Sequence, residues 1–352
     1  MRDGGSPHKT RKARRAGPTI SDVAARCGVA VSTVSRALTM PGRVSEATRQ
    51  RVVAAADELG YQPNPRARSL LSGRTDTIGL LMPDITNPFF FDVIRGTQAQ
   101  AAAAGYSLML VDTEESAEVE ARHLARMPKA VDGLILAASR LSDADLEQVA
   151  SSVPLVALNR GTRGVPTVVI DSADGAVQAV EHLASLGHRK LAYAAGPAGS
   201  WSNGRRWRAV YTAARRLGLH AVRLGPFPPT VRAGAAAADA VINTGASAVL
   251  AFNDLLAIGM LGRLAERGVD VPGEMSVVGC DDIFGADFCH PALTTLTAPI
   301  ERAGRVATDM LLDLLGRGTG RSAHREQELL ATTLTVREST GPAPAPTPAP
   351  AP

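Results

Sequence analysis

The chain has 352 residues, 45% of them hydrophobic, and a formal net charge of +4. This length allows a small domain beside a large one with a substantial core, and no apolar run is long enough to cross a bilayer. Residues 1–74 hold 14 Lys and Arg against 5 Asp and Glu, so this segment carries +9 and the remainder −5. A basic head on a mildly acidic body predicts a polyanionic partner for the head alone.

The N-terminal residues 1–17 are rich in Lys and Arg and lack the apolar core of a signal peptide. We expect a disordered basic arm with electrostatic affinity for phosphates, or alternatively an inert leader, in a cytoplasmic protein. The cysteines Cys27, Cys280 and Cys289 are scattered and show no metal-ligand spacing. Free thiols without a metal or cofactor are therefore expected, with redox sensing by Cys280 or Cys289 as the alternative.

Residues 19–39 have the pattern of two short helices around a tight turn. Thr19 and Asp22 can form a capping box, and Gly28 can end the first helix in the left-handed conformation. The second helix would then expose the residues Val31, Ser32, Ser35 and Arg36. This is the pattern of a helix-turn-helix, whose second helix enters the DNA major groove. An ordinary helical hairpin is the alternative, but a third helix from the cap Ser45 to Gly60 favours a small DNA-binding bundle.

The sequence pattern changes at residue 77, where apolar runs typical of buried strands begin to alternate with alanine-rich helical stretches. Continuous apolar strands separated by helices predict parallel sheets covered on both faces, and two such series predict two α/β lobes, each a doubly wound sheet. Their ligand site is expected in the cleft beyond the carboxyl ends of the strands. The predicted strands are 78–82, 108–111, 134–137, 155–158 and 168–170 in the first series, and 191–195, 221–224, 248–252 and 277–280 in the second.

Aromatic and polar residues gather at or soon after these strand ends. Aromatic faces with a few convergent polar groups are typical of a small-ligand pocket, and carboxylate, guanidinium and amide groups suit a polyhydroxylated molecule. Trp201, Ser202, Asn203 and Phe288 also lie near strand ends, while Asp254 is expected to cap a helix over 255–267. The predicted effector-binding set is Asn87, Phe89, Phe90, Asn159, Trp201, Arg206, Phe252, Asn253 and Asp281.

The chain also contains the segments DVAARCGVAVSTVSRAL, VSEATRQRV, ADELGYQPN and ARSL, followed by TIGLLMPDITNPFF. Over residues 18–339 it resembles transcriptional regulators of the lactose-repressor (LacI/GalR) family. The resemblance implies an all-α helix-turn-helix head joined to a two-lobed periplasmic-binding-protein-like core. One local departure is Ala30, where the family usually has Ser or Thr before the recognition helix, so that a cap worth about 1 kcal/mol is missing.

The resemblance implies the following boundaries. Residues 18–64 form the head, 65–75 a hinge and 76–339 the core, with lobe 1 over about 76–172 and 298–327 and lobe 2 over about 173–297 and 328–339. The chain would cross between the lobes three times, with a helix over 300–316. Residues 340–352 are a Pro-Ala tail, expected to be extended and unpacked. The tail has no leucine heptads, so a homodimer is expected rather than a tetramer.

The same resemblance implies functional roles for several residues. Positions matching Val31, Ser32 and Arg36 read the major groove in the family, and Leu70 matches the hinge leucine that wedges into the minor groove. From the sequence alone, the hinge segment would read as a plain linker. Effector contacts are implied for Arg206, Asn253 and Asp281, with a departure at Gly204, where some members have Arg. The predicted DNA-contacting set is Thr19, Val31, Ser32, Thr33, Ser35, Arg36, Thr48, Tyr61, Asn64 and Leu70.

An enzyme is disfavoured because Asp254, Asp281, Asp282 and His290 are accompanied by no nucleophile elbow, Walker A sequence or metal-ligand spacing. We therefore predict a nucleoid-associated, dimeric transcriptional regulator, a repressor that binds a palindromic double-stranded operator under control of a sugar-like effector. A solute-binding protein of a sugar transporter is the alternative, but it would need a signal peptide and would not use residues 18–74. A non-specific nucleoid protein would not need a ligand cleft.

Overall fold

The computed structural model describes residues 17–39, 41–61, 74–318 and 326–345, which fall into two compact units, Met1–Thr75 and Asp76–Pro352. The predicted basic arm and the predicted contact residues Asn64 and Leu70 lie outside the described residues, apart from Gly17 at the end of the arm. Within the described part of the chain, no helix is both long enough and apolar enough to span a membrane.

The first unit is a three-helix bundle of α1 (Ile20–Cys27), α2 (Val31–Thr39) and α3 (Glu46–Leu59), with a 3-10 turn at Pro41–Arg43. The Asp22 carboxylate accepts from the Thr19 backbone N at 2.7 Å and from its Oγ1 at 2.8 Å, which fixes the start of α1. The glycines that end α1 and α3 have φ values of 65° and 64°, so both helix stops are confirmed. The core consists of Val23, Ala24, Val34, Ala37, Val52, Ala55 and Ala56.

The second unit contains two parallel sheets. The strands of the larger sheet are β1 (Thr77–Met82), β2 (Ser107–Asp112), β3 (Gly133–Ala137), β4 (Leu155–Leu158), β5 (Thr167–Ile170) and β11 (Gln327–Leu330). Those of the smaller are β6 (Lys190–Ala194), β7 (His220–Leu224), β8 (Ala248–Ala251) and β9 (Ser276–Val278). The strand order is β11-β5-β4-β3-β1-β2 in the larger sheet and β7-β6-β8-β9 in the smaller. A two-stranded antiparallel sheet joins β10 (Thr295–Thr297) to β12 (Thr333–Thr335).

Helices connect the strands, as the alternating rhythm predicted. They are α4 (Phe89–Ala103), α5 (Ala117–Leu124), α6 (Asp143–Ala150), α7 (Ser172–Ser185), α8 (Trp201–Arg216), α9 (Gly234–Ile242), α10 (Asp254–Glu266) and α11 (Ile300–Leu314). The packing of α4 against α11 requires glycine at one crossing point, because a Cβ atom on Gly96 would stand 2.0 Å from the Glu301 carbonyl oxygen. The fold class, a helix-turn-helix head with a two-lobed α/β core, is confirmed.

Two details of the predicted body are wrong. The strands β2 and β7 are not buried runs, because each lies at the edge of its sheet and is half-exposed. Residues 328–330 lie in lobe 1 and not in lobe 2 as predicted, because Glu328 to Leu330 pair with Val168 to Ile170 in the larger sheet. The chain therefore leaves the first lobe only after β11, because this short strand completes the edge beside β5.

The beginning of the tail is also packed, contrary to the prediction. The Gly341 N donates to Ser276 Oγ at 3.0 Å, its carbonyl lies 3.2 Å from His188 Nε2, and Ala343 N donates to the Leu186 carbonyl oxygen at 2.8 Å. These bonds satisfy backbone groups that an extended tail would leave to water. Residues 346–352 of the predicted tail lie outside the described part.

Candidate functional site

The outward face of α2 is open to solvent. Val31 is 43% exposed, and the side chains of Ser32 and Arg36 beside it are exposed as well. Among the described residues Arg36 makes no ion pair, whereas Arg26 on α1 is held by Glu58 at 2.9 Å. An exposed guanidinium next to a hydroxyl and a branched apolar side chain can hydrogen-bond base edges and contact a thymine methyl group.

Three other predicted DNA-contacting residues already have structural roles in the bundle. Thr19 caps α1, and the hydroxyl of Thr48 lies 2.9 Å from that of Ser45, the cap of α3. Tyr61 is half-buried against the bundle core. Thr33 and Ser35 are half-buried on α2, and Ser35 has a bonding partner. Among the predicted contacts on α2, the most open are thus Val31, Ser32 and Arg36.

In the second unit a small cavity of about 40 Å³ lies beyond the carboxyl ends of strands from both lobes. Helix starts and strand-end loops supply its walls, as the strand-end argument predicted. Its lining residues are Asn87, Phe89, Phe90, Glu115, Ala138, Arg140, Asn159, Ser200, Ser202, Arg206, Pro229, Phe252, Asn253 and Asp281.

Strained backbone is concentrated around this cavity. Glu115, Ala138, Asn159 and Asp281, which follow β2, β3, β4 and β9, have φ values of 56°, 50°, 54° and 122°. Left-handed conformations are unfavourable for residues with a Cβ atom and occur preferentially at functional sites. Here they turn side chains of four strand-end loops toward one place.

Arg206 is the central charged group of the second-lobe wall. It is 3% exposed, and its Nε donates to Ser172 Oγ at 3.1 Å while its Nη1 donates to the Phe252 carbonyl oxygen. Its guanidinium carbon lies 4.7 Å from the centroid of the Phe252 ring. Because the charge is both hydrogen-bonded and stacked, it can remain buried beside the cavity.

Two carboxyl groups lie near this guanidinium. Burial raises the pKa of Asp281 to about 8, although the Arg206 charge opposes the shift. Burial also raises the pKa of Asp254 to about 6, and this carboxyl accepts from Thr295 Oγ1 at 2.5 Å and from Ile283 N at 3.0 Å. The carboxyl of Asp254 is therefore already hydrogen-bonded within the protein, whereas Asp281 lines the cavity.

The first-lobe wall contains an ion pair that the sequence analysis missed. Arg140 pairs with Glu115 at 2.6 Å, and its Nη1 donates to the Ala138 carbonyl oxygen at 2.7 Å. The Arg140 backbone N donates at 2.9 Å to Glu120, a buried carboxyl whose pKa is raised by burial. Glu115 and Arg140 follow β2 and β3, and this position after a strand end is the sequence signal that indicates both.

Three buried polar atoms have no hydrogen-bond partner within the described chain: Asn159 Oδ1, Arg160 Nε and Thr162 Oγ1. They belong to one loop after β4. Asn159 is 8% exposed and lines the cavity. Leaving a buried acceptor unbonded costs about 1–3 kcal/mol, so this atom is suited to a donor on a bound molecule.

Comparison with known proteins agrees with this architecture. Residues 19–64 match the family model "Bacterial regulatory proteins, lacI family", and residues 180–340 match "Periplasmic binding protein-like domain". The chain is 34% identical over 339 residues to the HTH-type transcriptional repressor CytR of Escherichia coli, covering 94% of this chain and 98% of that protein. The chain belongs to the lacI family. This lacI-family member is a DNA-binding transcriptional regulator and not an enzyme.

Solved structures of the family superpose on nearly the whole chain. The lac repressor dimer bound to operator and the anti-inducer ONPF has a TM-score of 0.80 at 28% identity, covering 93% of this chain and all of that one. The complex of the transcriptional regulator CelR with cellobiose has a TM-score of 0.66 at 31% identity, covering 92% and 99%.

The structure brings most of the predicted cavity residues of this lacI-family protein together. Trp201 is the exception, because it lines a separate groove instead of the cavity. Phe288 is 66% exposed and packs against Phe284. Asp254 does not cap α10 as predicted. The cap is Asn253, whose Oδ1 accepts from Leu256 N at 3.0 Å.

The two body cysteines are poorly suited to redox sensing. Burial raises the pKa of both the Cys280 and the Cys289 thiols, which disfavours the reactive thiolate. Cys289 further directs its thiol to the carbonyl oxygens of Ala286 and Pro291 at 3.4 Å.

Proposed function

We propose that this lacI-family regulator is a repressor that binds a palindromic operator as a homodimer and responds to a small polyhydroxylated effector, sugar-like in chemistry, in the inter-lobe cavity. The observation that carries the DNA part is the open face of α2, where Val31, Ser32 and Arg36 stand free of the bundle. Two such faces in a dimer would read two half-sites.

Within this proposal Arg36 is the main specificity contact, because a guanidinium can bond the O6 and N7 atoms of guanine together. Val31 would contact a thymine methyl group, and Ser32 would bond a base edge. Thr19, Thr33, Ser35, Thr48 and Tyr61 would fix the register on phosphates. Asn64 and the wedging Leu70 complete the proposed DNA contacts on the strength of the family resemblance.

The effector part rests on the chemistry of the cavity. Asn159 Oδ1 needs a donor, Asp281 and Glu115 can accept, and the guanidinium groups of Arg140 and Arg206 can donate. A hydroxyl group both donates and accepts, so a polyol or sugar would satisfy this mixture. The CelR relative, whose structure contains cellobiose, supports a carbohydrate class.

The cavity also indicates how binding would be linked to DNA affinity. A volume of about 40 Å³ holds about three water molecules, whereas small-ligand sites usually measure about 300–1,000 Å³. We infer that an effector moves the walls of the cavity apart when it binds. If the widened and narrow forms differ in DNA affinity, the effector shifts repression through its preference for one of them.

Exposed aromatic side chains support the dimer. Phe284 is 81% exposed and Phe288 66%, with ring centroids 5.0 Å apart. A paired aromatic patch of this kind is a common feature of protein interfaces. Binding to chromosomal DNA would keep the protein at the nucleoid in the cytoplasm.

The proposal is tested by selecting genomic fragments on the purified chain and measuring their affinity by gel shift with and without sugars. We expect enrichment of a near-palindrome and a sugar that changes its affinity. A thermal-shift screen of sugars and polyols on the same chain identifies the effector, because a ligand stabilises the fold with the logarithm of its concentration. Equal affinity for all fragments under every condition would refute the proposal.

A further inference from the structure

The helix α8 is unusually basic. Its sequence WSNGRRWRAVYTAARR holds the arginines Arg205, Arg206, Arg208, Arg215 and Arg216 and no acidic residue. Arg206 turns inward to the effector cavity, while Arg205, Arg208 and Arg216 line a groove between α7 and α8. The groove and the cavity share no lining residue. The two sites therefore lie on different sides of the same helix.

The groove has the size and floor of a ligand site. Its volume is about 560 Å³, within the range of small-molecule pockets. The Trp201 indole and three arginine side chains line the groove together with small apolar side chains, which are here called the floor. The apolar lining residues are Ala173, Val177, Ala209 and Ala213.

Two of the three guanidinium groups are not neutralised. Arg216 is held by Glu181 at 2.6 Å. Arg205 instead stacks on Trp201, with its guanidinium carbon 4.8 Å from the ring centroid, and Arg208 is exposed. Among the described residues neither Arg205 nor Arg208 forms an ion pair. The nearby Asp174 on α7 accepts from Gln178 at 2.8 Å.

We propose that this groove is a second ligand site, which binds a small organic anion. The phosphate or carboxylate of the ligand is bound by Arg205 and Arg208, and its flat apolar part lies on the alanine floor beside Trp201. Guanidinium groups bind both anions with two parallel hydrogen bonds, and the Trp201 indole, which carries the Arg205 guanidinium on its ring, adds apolar surface beside the floor. A neutral sugar provides neither a negative charge for the arginines nor a flat apolar surface for the floor. The two sites therefore select ligands of different chemistry.

The position of Trp201 connects this site to the first lobe. A Cβ atom on Gly161, in the loop after β4, would stand 2.6 Å from Trp201 Cζ2, so the indole packs directly on the Gly161 backbone. The same loop carries Asn159 at the effector cavity. A ligand that contacts Trp201 in the groove therefore changes the packing of the indole on the Gly161 backbone, which is a contact between the two lobes.

The test uses the full-length chain with Trp207→Phe, which leaves Trp201 as its only tryptophan. Phenyl phosphate and benzoate are titrated while tryptophan fluorescence is recorded, with benzyl alcohol as the neutral control. We expect saturable binding of at least one anion in the millimolar range and binding of benzyl alcohol at least about tenfold weaker. The two anions distinguish a phosphate ligand from a carboxylate ligand.

Matched variants locate the site. Arg208→Glu and Arg215→Glu change the net charge equally on the same helix, but only Arg208 lines the groove. We expect Arg208→Glu to weaken anion binding by about tenfold or more and Arg215→Glu to change it less than about twofold. Calorimetric titration of the chain that retains Trp207 provides a readout independent of the fluorescence variant.

Three results would overturn the proposal: no saturable binding of either anion, equal weakening by both Glu variants, or binding abolished by Arg140→Met, which removes a cation that lines the effector cavity, but not by Arg208→Glu. The last result would place the anion in the effector cavity. Binding of a polyglutamate peptide without binding of either small anion would likewise show that the groove takes an acidic protein segment instead.

Discussion

Arg206 contacts Phe252 twice, with its guanidinium carbon 4.7 Å from the ring centroid and its Nη1 donating to the carbonyl oxygen of the same residue. The ring in turn packs on Gly196, where a Cβ atom would stand 2.3 Å from Phe252 Cγ. These contacts join the ends of β6 and β8 to the inner side of α8. One buried charge thus holds the second-lobe wall of the cavity together.

Replacing this charge should destabilise the body. We expect Arg206→Met to lower the free energy of unfolding by about 2–4 kcal/mol, because it leaves Ser172 Oγ and the Phe252 carbonyl oxygen without their donor and removes the stacking on the Phe252 ring. Urea denaturation measures the change. Arg205→Met, on the same helix but stacked at the surface of the groove, is the control and should cost less than about 1 kcal/mol. Similar losses for both variants would contradict the role of Arg206.

The free energy of unfolding should fall as pH rises from the pKa of Asp281 in the unfolded chain to its pKa in the folded chain. Its pKa is about 8 in the folded chain against 3.8 as the ordinary value, so between these limits the folded state binds more protons than the unfolded state. Each unit of pH then lowers stability by at most about 1.4 kcal/mol for this group. Asp281→Asn removes the titration, so its stability relative to the wild type should increase from pH 5 to pH 8.

Urea denaturation at pH 5, 6.5 and 8 measures this trend for the wild type and for Asp281→Asn. The exposed Asp287→Asn in the following loop removes the same formal charge and serves as the control. If the stability difference between Asp281→Asn and the wild type stays constant across these pH values, the carboxyl does not ionise as described.

Asn203, which the sequence placed near the ligand, is a structural residue. Its Oδ1 accepts from Tyr193 Oη at 2.9 Å and from Gly196 N at 3.1 Å, and its Nδ2 donates to the carbonyl oxygens of Gly196 and Pro197. We expect Asn203→Ala to cost about 2–4 kcal/mol, because it leaves these buried groups unbonded. In a Tyr193→Phe background the cost should be smaller. A thermodynamic cycle by urea denaturation that showed strict additivity would exclude this coupling.

For the DNA-binding head, we expect Arg36→Ala to weaken binding to the selected operator by about 1–3 kcal/mol and binding to random DNA much less. Arg26→Ala is the matched control, because Arg26 is exposed on α1 but already paired with Glu58. Gel shifts at fixed salt concentration measure both affinities. Equal losses on operator and random DNA would show that Arg36 contacts only phosphate.

For the dimer, the double change Phe284→Ser and Phe288→Ser should raise the dissociation constant, since it removes an exposed aromatic pair. Sedimentation at micromolar concentration measures the monomer fraction. Tyr211→Ser, which also removes an exposed aromatic side chain, is the control and should leave the dimer intact. A monomeric wild type, or an unchanged double variant, would contradict this interface.

Parallel strands bring their carboxyl ends to one edge of a sheet, so positions just after predicted strands indicate which residues meet there. Phe89, Asn159, Arg206, Phe252 and Asp281 are far apart in sequence, yet all line one cavity. The apolar runs located each of the nine predicted strands to within two residues of its observed ends. Both inferences depend only on local patterns, which the tertiary structure preserves.

Other features depended on geometry that a sequence pattern does not contain. Trp201 and Ser202 are neighbours, but one residue of helical rotation turns the indole to the outer groove and the hydroxyl to the cavity. Asn253 and Asp254 are both typical capping residues, and only the structure shows which one bonds the helix start. The four residues of β11 include two polar side chains, so no apolar run assigned them to a sheet.

The hydrogen bonds of Gly341 and Ala343 hold the C-terminal segment against the second lobe. A chain cut after Thr340 would expose His188 and Ser276, which are otherwise buried beneath this segment. A purification tag or fluorescent fusion should therefore be attached beyond residue 345, so that the hydrogen bonds of Gly341 and Ala343 are preserved.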